Sequence, residues 1–264
     1  VDIRENIKLM EFATELARGA GDITLKYFRK DPETSNKADG SFVTIADREA
    51  EAYIRRRISE VFPDDGLLGE EEGESVGRSG RRWIIDPIDG TFSFVHGVPL
   101  YGVMIAVESE GQPIVGVVNM PALNELVAAA AGGGCFYNGK RAHVSTVSNF
   151  KDALLLGTNF LACASEFGAA AQALQDTAKT SRTWGDCYGY VLLATGRAEV
   201  MVDPIMNIWD CAALMPIVEE AGGTFTDWNG NRTISGGNAI ATNGLLFDEV
   251  MNIVARNLRV SATS

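Results

Sequence analysis

In the stretch Trp83-Ile84-Ile85-Asp86-Pro87-Ile88-Asp89-Gly90-Thr91, two carboxylates stand three residues apart at the end of an apolar run. The run reads as a buried strand. Pro87 lacks an N–H and fixes φ, so the strand is expected to stop there. Gly90 permits a sharp turn, and Thr91 sets a hydroxyl just beyond it. Two buried acids this close repel each other and lose hydration. No Lys or Arg lies between Trp83 and Thr91 to offset them. A divalent cation is the economical partner, and oxygen ligands favour Mg²⁺, Mn²⁺ or Ca²⁺ over Zn²⁺. The competing reading is a strand end followed by a solvated, Asp-rich turn.

Four more acids stand where chemistry could use them. Asp47 lies at the start of a helix in Val43-Thr44-Ile45-Ala46-Asp47, and Glu70 follows Gly69. Asp210 follows Trp209 in the first turn of another helix, and Asp203 ends a strand seven residues earlier. Singly, Asp47 and Asp210 are acids favoured by a helix dipole, and Glu70-Glu71-Glu72 is a solvated acidic loop. A set of carboxylates holding two cations roughly 3.5–4 Å apart could instead activate a water and neutralise a leaving oxygen in phosphate-ester hydrolysis.

Together, Gly69-Glu70-Glu71, Asp86-Pro87-Ile88-Asp89-Gly90-Thr91 and Trp209-Asp210 resemble the inositol monophosphatase family of Mg²⁺-dependent, Li⁺-sensitive phosphatases. Val43-Thr44 with Asp47, and Gly222-Gly223 after the Asp210 helix, agree with it. The resemblance implies that Glu70, Asp86, Asp89, Asp210 and the Ile88 carbonyl hold two or three Mg²⁺, with Mn²⁺ as a substitute. It implies that Asp47 and Thr91, with Glu70, serve catalysis by orienting and deprotonating a water. The Gly90 and Thr91 amides would bind phosphate. An α-β-α-β-α layered sandwich and a homodimer are implied as well. Trp184-Gly185-Asp186-Cys187-Tyr188-Gly189-Tyr190 and Val202-Asp203-Pro204 look like the family's histidinol-phosphate phosphatase branch. Asp186 and Asp203 could then face the ammonium and imidazole of the leaving group, with Arg182 lining the same side. Asp186 as a plain helix cap is the ordinary alternative.

The elements that must position these residues divide into an α+β half, residues 1–144, and an α/β half, residues 145–264. An amphipathic helix over residues 2–30 stops at Asp31-Pro32, and a polar loop follows over 33–40. A second helix spans 44–62. Paired strands over 101–107 and 114–119 and a third over 125–130 come next, with a hairpin at Asn138-Gly139. Beyond 154 the pattern alternates. Strands are expected at 154–157, 199–203, 224–228 and 238–242, and helices at 165–179, 186–195, 208–221 and 246–257.

The 264 residues carry a formal charge of −12, which speaks against nucleic acid or an anionic membrane as a partner. A small phosphate monoester is the expected partner, admitted by cations that reverse the local field. No apolar run has the length of a membrane span, and no export signal is apparent. Four scattered cysteines read as reduced thiols, and a cytoplasmic location follows. Cys135 to Arg141 has cysteine-phosphatase spacing but encloses the hairpin turn, and Gly134 to Lys140 lacks the Ser or Thr and the helix of a P-loop. The expected reaction is hydrolysis of L-histidinol phosphate in histidine biosynthesis. The alternatives are an inositol-1-phosphate or broad sugar-phosphate phosphatase and, in another class, a non-catalytic metal-stabilised binding protein.

Overall fold

The computed structural model describes residues 2–30, 34–36 and 42–261. Helix α1 (Ile3–Tyr27) starts at Asp2, whose carboxylate accepts the Arg4 N–H at 2.9 Å, and it buries Leu9, Ala13, Leu16, Ala17 and Ala20. It ends three residues short of the expected stop. The expected loop over 33–40 contains a short strand, β1 (Thr34–Asn36), paired antiparallel with β2 (Phe42–Thr44). The rest of that segment lies outside the described residues. Helix α2 (Ile45–Val61) follows directly.

The next strands are β3 (Gly66–Gly69), β4 (Gly73–Ser75) and β5 (Arg81–Asp89), then, after the short helix α3 (Thr91–Val95), β6 (Gly102–Ser109) and β7 (Gln112–Met120). β8 (Glu125–Ala130), β9 (Gly134–Tyr137) and β10 (Lys140–Arg141) complete an eight-stranded sheet in the order β10-β9-β8-β7-β6-β5-β3-β4. Among the described residues of this sheet, only the β3–β5 pairing is parallel. One expectation is corrected here: β5 runs through Pro87 to Asp89. Asp86 pairs with Met104 and Asp89 with Gly102, so three steps on β5 oppose two on β6. Pro87 lies within this bulge, where a missing N–H costs no ladder bond.

The second half contributes β11 (Leu154–Gly157), α4 (Phe160–Thr177), β12 (Thr180–Arg182), α5 (Asp186–Ala194), β13 (Val200–Asp203), α6 (Ile208–Ala212) and α7 (Leu214–Glu220). β14 (Thr224–Thr226), β15 (Ala239–Thr242) and α8 (Phe247–Ser261) end the chain, and the second sheet has the order β12-β11-β13-β15-β14. Helix α4 begins five residues before the expected Ser165, because Asn159 caps it with bonds from the Leu161 and Ala162 amides, and it kinks at Gly168. The single helix expected over 208–221 is two, divided at Ala213. Pro216 explains the division: it cannot donate to the Ala212 carbonyl, and its ring crowds that oxygen.

Strand alternation shows how the layers stack. Val103, Ile105, Val107, Val115 and Val117 pack against α1 and α2. Met104, Ala106, Val118 and Met120 face the opposite way, into a core shared with α5, α6 and α7. Met201 and Ala241 of the second sheet close that core, while Leu155, Val200, Val202 and Ile240 turn outward to α4 and α8. The result is the layered α-β-α-β-α sandwich expected from the sequence. All strands of the larger sheet precede residue 144 and all strands of the smaller one follow 145, yet the middle core draws on both.

Candidate active site

The parallel β3–β5 pairing aligns Gly69 with Ile85, and the Glu70 N–H donates to the Ile85 carbonyl at 3.2 Å. Glu70 therefore leaves β3 at the level where β5 presents Asp86. Asp210 arrives from the first turn of α6, where its Oδ2 accepts the Asn207 N–H at 2.6 Å. Asp89 Oδ2 accepts the Cys187 N–H at the start of α5, at 2.5 Å. One oxygen from each of Asp86, Asp89 and Asp210 lies within 4.8 Å of the others.

The electrostatics of this cluster call for positive charge. Burial, then the charges of Glu70, Asp89 and Asp210, push the Asp86 carboxyl well above the usual range. Burial, then Asp186 and Asp210, do the same to Asp89, and burial leads in lifting Asp210 to about 7. Among the described residues no Lys or Arg forms an ion pair with any of the three. Converging carboxylate oxygens without a basic partner are the donor set of a hard divalent cation. The residues present thus fit the group.

Asp47 is fully buried at the third position of α2. Its Oδ2 accepts the Thr44 N–H at 2.7 Å and the Thr44 hydroxyl at 2.6 Å, while its Oδ1 has no partner. Buried acceptors are nearly always satisfied, so this orphan marks a place for a ligand or water. Burial lifts the Asp47 carboxyl to about 7 despite the Thr44 bonds. Asp47 and Asp210 are indeed helix-start acids, as the ordinary reading held. Each spends one oxygen on its cap and leaves the other for the site.

Thr91 Oγ1 donates to the Ile88 carbonyl at 2.9 Å. Gly90 sits between them in the left-handed region at φ 78°. A side chain there would come within 3.0 Å of the Leu100 carbonyl and 3.1 Å of Asp186 Oδ2. Glycine is thus required both by conformation and by the close approach of α5.

A cleft of about 240 Å³ opens beside the cluster, walled by Asp89, Asp210, Asp186, Asp203, Thr158 and Met206 among others. Asp186 has a left-handed backbone at φ 51°, and its N–H donates to Thr158 Oγ1 at 2.8 Å. Burial lifts its carboxyl to about 6. Asp203 accepts the Thr158 N–H at 3.2 Å and the Tyr190 hydroxyl at 3.0 Å, and burial raises it to about 7. Arg182 is not among the cleft-lining residues. It is exposed on the outer strand β12, where its guanidinium bonds Thr180 and Ser181.

Thr158 has no place in the motifs read from the sequence, and Tyr190 stands there only as the end of the Trp184–Tyr190 stretch, without its bond to Asp203. Thr158 had one usable signal, its place just past the end of strand β11, where ligand crevices of parallel sheets open. Cys135 is buried in the β9–β10 hairpin with its thiol pushed up to about 12, so the Cys135–Arg141 spacing is coincidence, as expected. All four cysteines are buried and free, and no helix among the described residues is long and apolar enough to cross a membrane.

Residues 5–259 match the inositol monophosphatase family. Over 251 residues the chain is 48% identical to a histidinol-phosphatase of Chlorobaculum parvum, covering 94% of each protein. A histidinol-phosphatase of Mycobacterium tuberculosis is 40% identical over 249 residues, 90% of this chain and 95% of that one. Among solved structures, the extragenic suppressor protein suhB from Bartonella henselae superposes with a TM-score of 0.87 at 30% identity, covering 94% of this chain and 98% of the other.

Proposed function

The chain belongs to the inositol monophosphatase family and is a phosphoric monoester hydrolase; on that premise we propose that it hydrolyses L-histidinol phosphate to L-histidinol and phosphate. The observation that carries this reading is the convergence of Asp86, Asp89 and Asp210 beside a cleft walled by Asp186 and Asp203. Acidic walls suit a leaving group that carries an ammonium and an imidazole. The names of the two curated relatives point the same way.

Glu70, Asp86, Asp89, Asp210 and the Ile88 carbonyl would hold two or three Mg²⁺, with Mn²⁺ as a substitute. When bound, the cations lower the pKa of a water and neutralise charge on the phosphate. Asp47 Oδ1, an acceptor with nothing to accept, receives a proton of the attacking water. Thr91 Oγ1 helps to orient that water. The Gly90 and Thr91 amides, at the turn into α3, hold phosphate oxygens. Asp186 and Asp203 bind the departing aminoalcohol. With this reading go a cytoplasmic role in histidine biosynthesis, a homodimer and sensitivity to Li⁺.

A second reading, an inositol-1-phosphate or broad sugar-phosphate phosphatase, draws on one feature. Both Asp203 oxygens already accept protein hydrogen bonds, which favours a neutral polyol at that wall. The test is kcat/KM with Mg²⁺ for L-histidinol phosphate, inositol-1-phosphate and fructose-1,6-bisphosphate. A preference for histidinol phosphate of a hundredfold or more, about 2.7 kcal/mol at the transition state, supports the main reading. A flat profile overturns it and keeps the second. Phosphate release that is unaffected by EDTA removes the metal from the mechanism.

A further inference from the structure

Glu51 is a fully buried carboxylate that the chemistry above does not use. Its Oε2 accepts the Glu71 N–H at 2.8 Å, and its Oε1 accepts the Glu72 N–H at 3.0 Å and the Arg55 Nε–H at 2.7 Å. Arg55 in turn donates to the Gly73 carbonyl. The loop between β3 and β4 is thus gripped from one side, from the residue after Glu70 through Gly73. The grip also explains Gly69: a β-carbon there would lie 2.0 Å from Glu51 Oε1. On α2, Asp47, Glu51 and Arg55 recur every four residues and share one face. The helix that carries the orphaned Asp47 oxygen therefore also holds the loop that delivers Glu70.

We propose that Glu51, held by Arg55, is a positioning residue that fixes Glu70 for the cation and locks it in register with Asp47. Burying a carboxylate is costly unless it is paired and bonded, and here every bond it makes goes to the loop or to Arg55. Two amides pinned immediately beyond Glu70 restrict its backbone before any cation arrives. That restriction removes an ordering cost from cation binding. Partners that orient a ligand residue typically change metal affinity by about 10–100-fold when lost. Glu51→Gln keeps the shape but sets an NH₂ group against one of the two loop amides, which loosens the grip without emptying the space.

The inference rests on Glu70 being a ligand, so the experiment carries Glu70→Gln beside Glu51→Gln. Mn²⁺ binding to the metal-stripped protein is measured by calorimetry or by loss of the free-ion EPR signal, and melting temperatures are taken in EDTA. Both variants are expected to weaken Mn²⁺ by about tenfold or more. Kcat of Glu51→Gln is expected to recover at saturating metal, which a damaged fold would not permit. If Glu70→Gln weakens Mn²⁺ and Glu51→Gln does not, the positioning role is overturned while the ligand role stands. If Glu70→Gln leaves Mn²⁺ binding intact, the ligand role itself falls. A Glu51→Gln protein that melts lower in EDTA but binds Mn²⁺ normally assigns Glu51 to stability alone and overturns the proposal. Should Glu51→Gln not fold, Arg55→Lys loses the planar fork but keeps the charge. A weakening of Mn²⁺ binding by about threefold, smaller than that tenfold loss, supports the proposal, and unchanged binding overturns it.

Discussion

Cys187 donates its backbone N–H to Asp89 Oδ2 across 2.5 Å, joining residues 98 positions apart. The bond ties the bulged end of β5 to the first turn of α5. Asp186, one residue earlier, overhangs Gly90 and reaches Thr158. One helix start thus holds a carboxylate of the acidic cluster and an acid of the cleft wall. Local disturbance there should be felt both by cation binding and by leaving-group recognition.

Asp89→Asn keeps an acceptor for the Cys187 amide and removes one charge from a cluster of like charges. Turnover is expected to fall by about 10³-fold or more, the scale of an electrostatic group lost from a transition state. The metal-free fold should survive and gain stability, since a half-buried, repelled carboxylate is gone. A gain of about 1 kcal/mol would raise Tm by ~2–4 °C for a chain of this size. Phosphate release and melting in EDTA check the two halves separately. Activity near wild type would refute the ligand role.

Stability without metal should depend on pH in an unusual direction. Asp47, Asp203 and Asp210 are raised from 3.8 to about 7, and Asp186 to about 6, chiefly by burial. An acid whose folded pKa exceeds its unfolded one takes up protons on folding between the two values. Its ionisation therefore costs the fold stability progressively from about pH 4 to pH 7. In EDTA, Tm is expected to fall as pH rises through this window. With Mg²⁺ the slope should flatten, because cations bind the deprotonated carboxylates. Melting curves from pH 5 to pH 8 with and without Mg²⁺ decide it. Parallel curves would show that the cluster does not hold the cation.

The acids of the site were legible because each lies in a short local motif. Asp86 and Asp89 bracket Pro87, and Asp47 and Asp210 stand three residues into helices whose start is written in Thr44 and Asn207. The layers were legible from periodicity for a related reason, since alternation and helical spacing are local properties. Pro87 was misjudged because its tolerance depends on register with β6, a pairing set by residues 102–104. Thr158, Glu51 and the role of Tyr190 were invisible in the same way: apart from the local pair of Glu51 with Arg55, their partners lie 13 to 45 residues off, and only the packed sheets bring them together. Arg182 is close to Asp186 in sequence, but the chain turns between them and leaves it on the outer strand.

Cys135→Ser separates this chemistry from cysteine-dependent phosphate transfer. A thiol raised to about 12 supplies almost no thiolate at neutral pH, and burial denies it substrate. Activity is expected to stay within about twofold of wild type, as for a small, nearly isosteric change away from the reacting atoms. Loss of turnover with an unchanged melting temperature would reopen the cysteine mechanism.

Asp186 is best tested with asparagine. Its left-handed backbone at φ 51° is one that Asn tolerates and Ala does not, so Asp186→Asn keeps the bond to Thr158 Oγ1 and removes only charge. If Asp186 meets the cationic leaving group, KM for L-histidinol phosphate should rise by about tenfold, the ~1.4 kcal/mol at the low end of a charge-assisted hydrogen bond. KM for inositol-1-phosphate should change by less than about threefold, since a neutral hydroxyl bonds an amide nearly as well. Asp186→Ala adds backbone strain and should also lower kcat for both substrates by loosening Cys187 and its hold on Asp89. Equal KM shifts on the two substrates in the Asn variant would take Asp186 out of recognition and leave it as the capstone of α5 over Gly90.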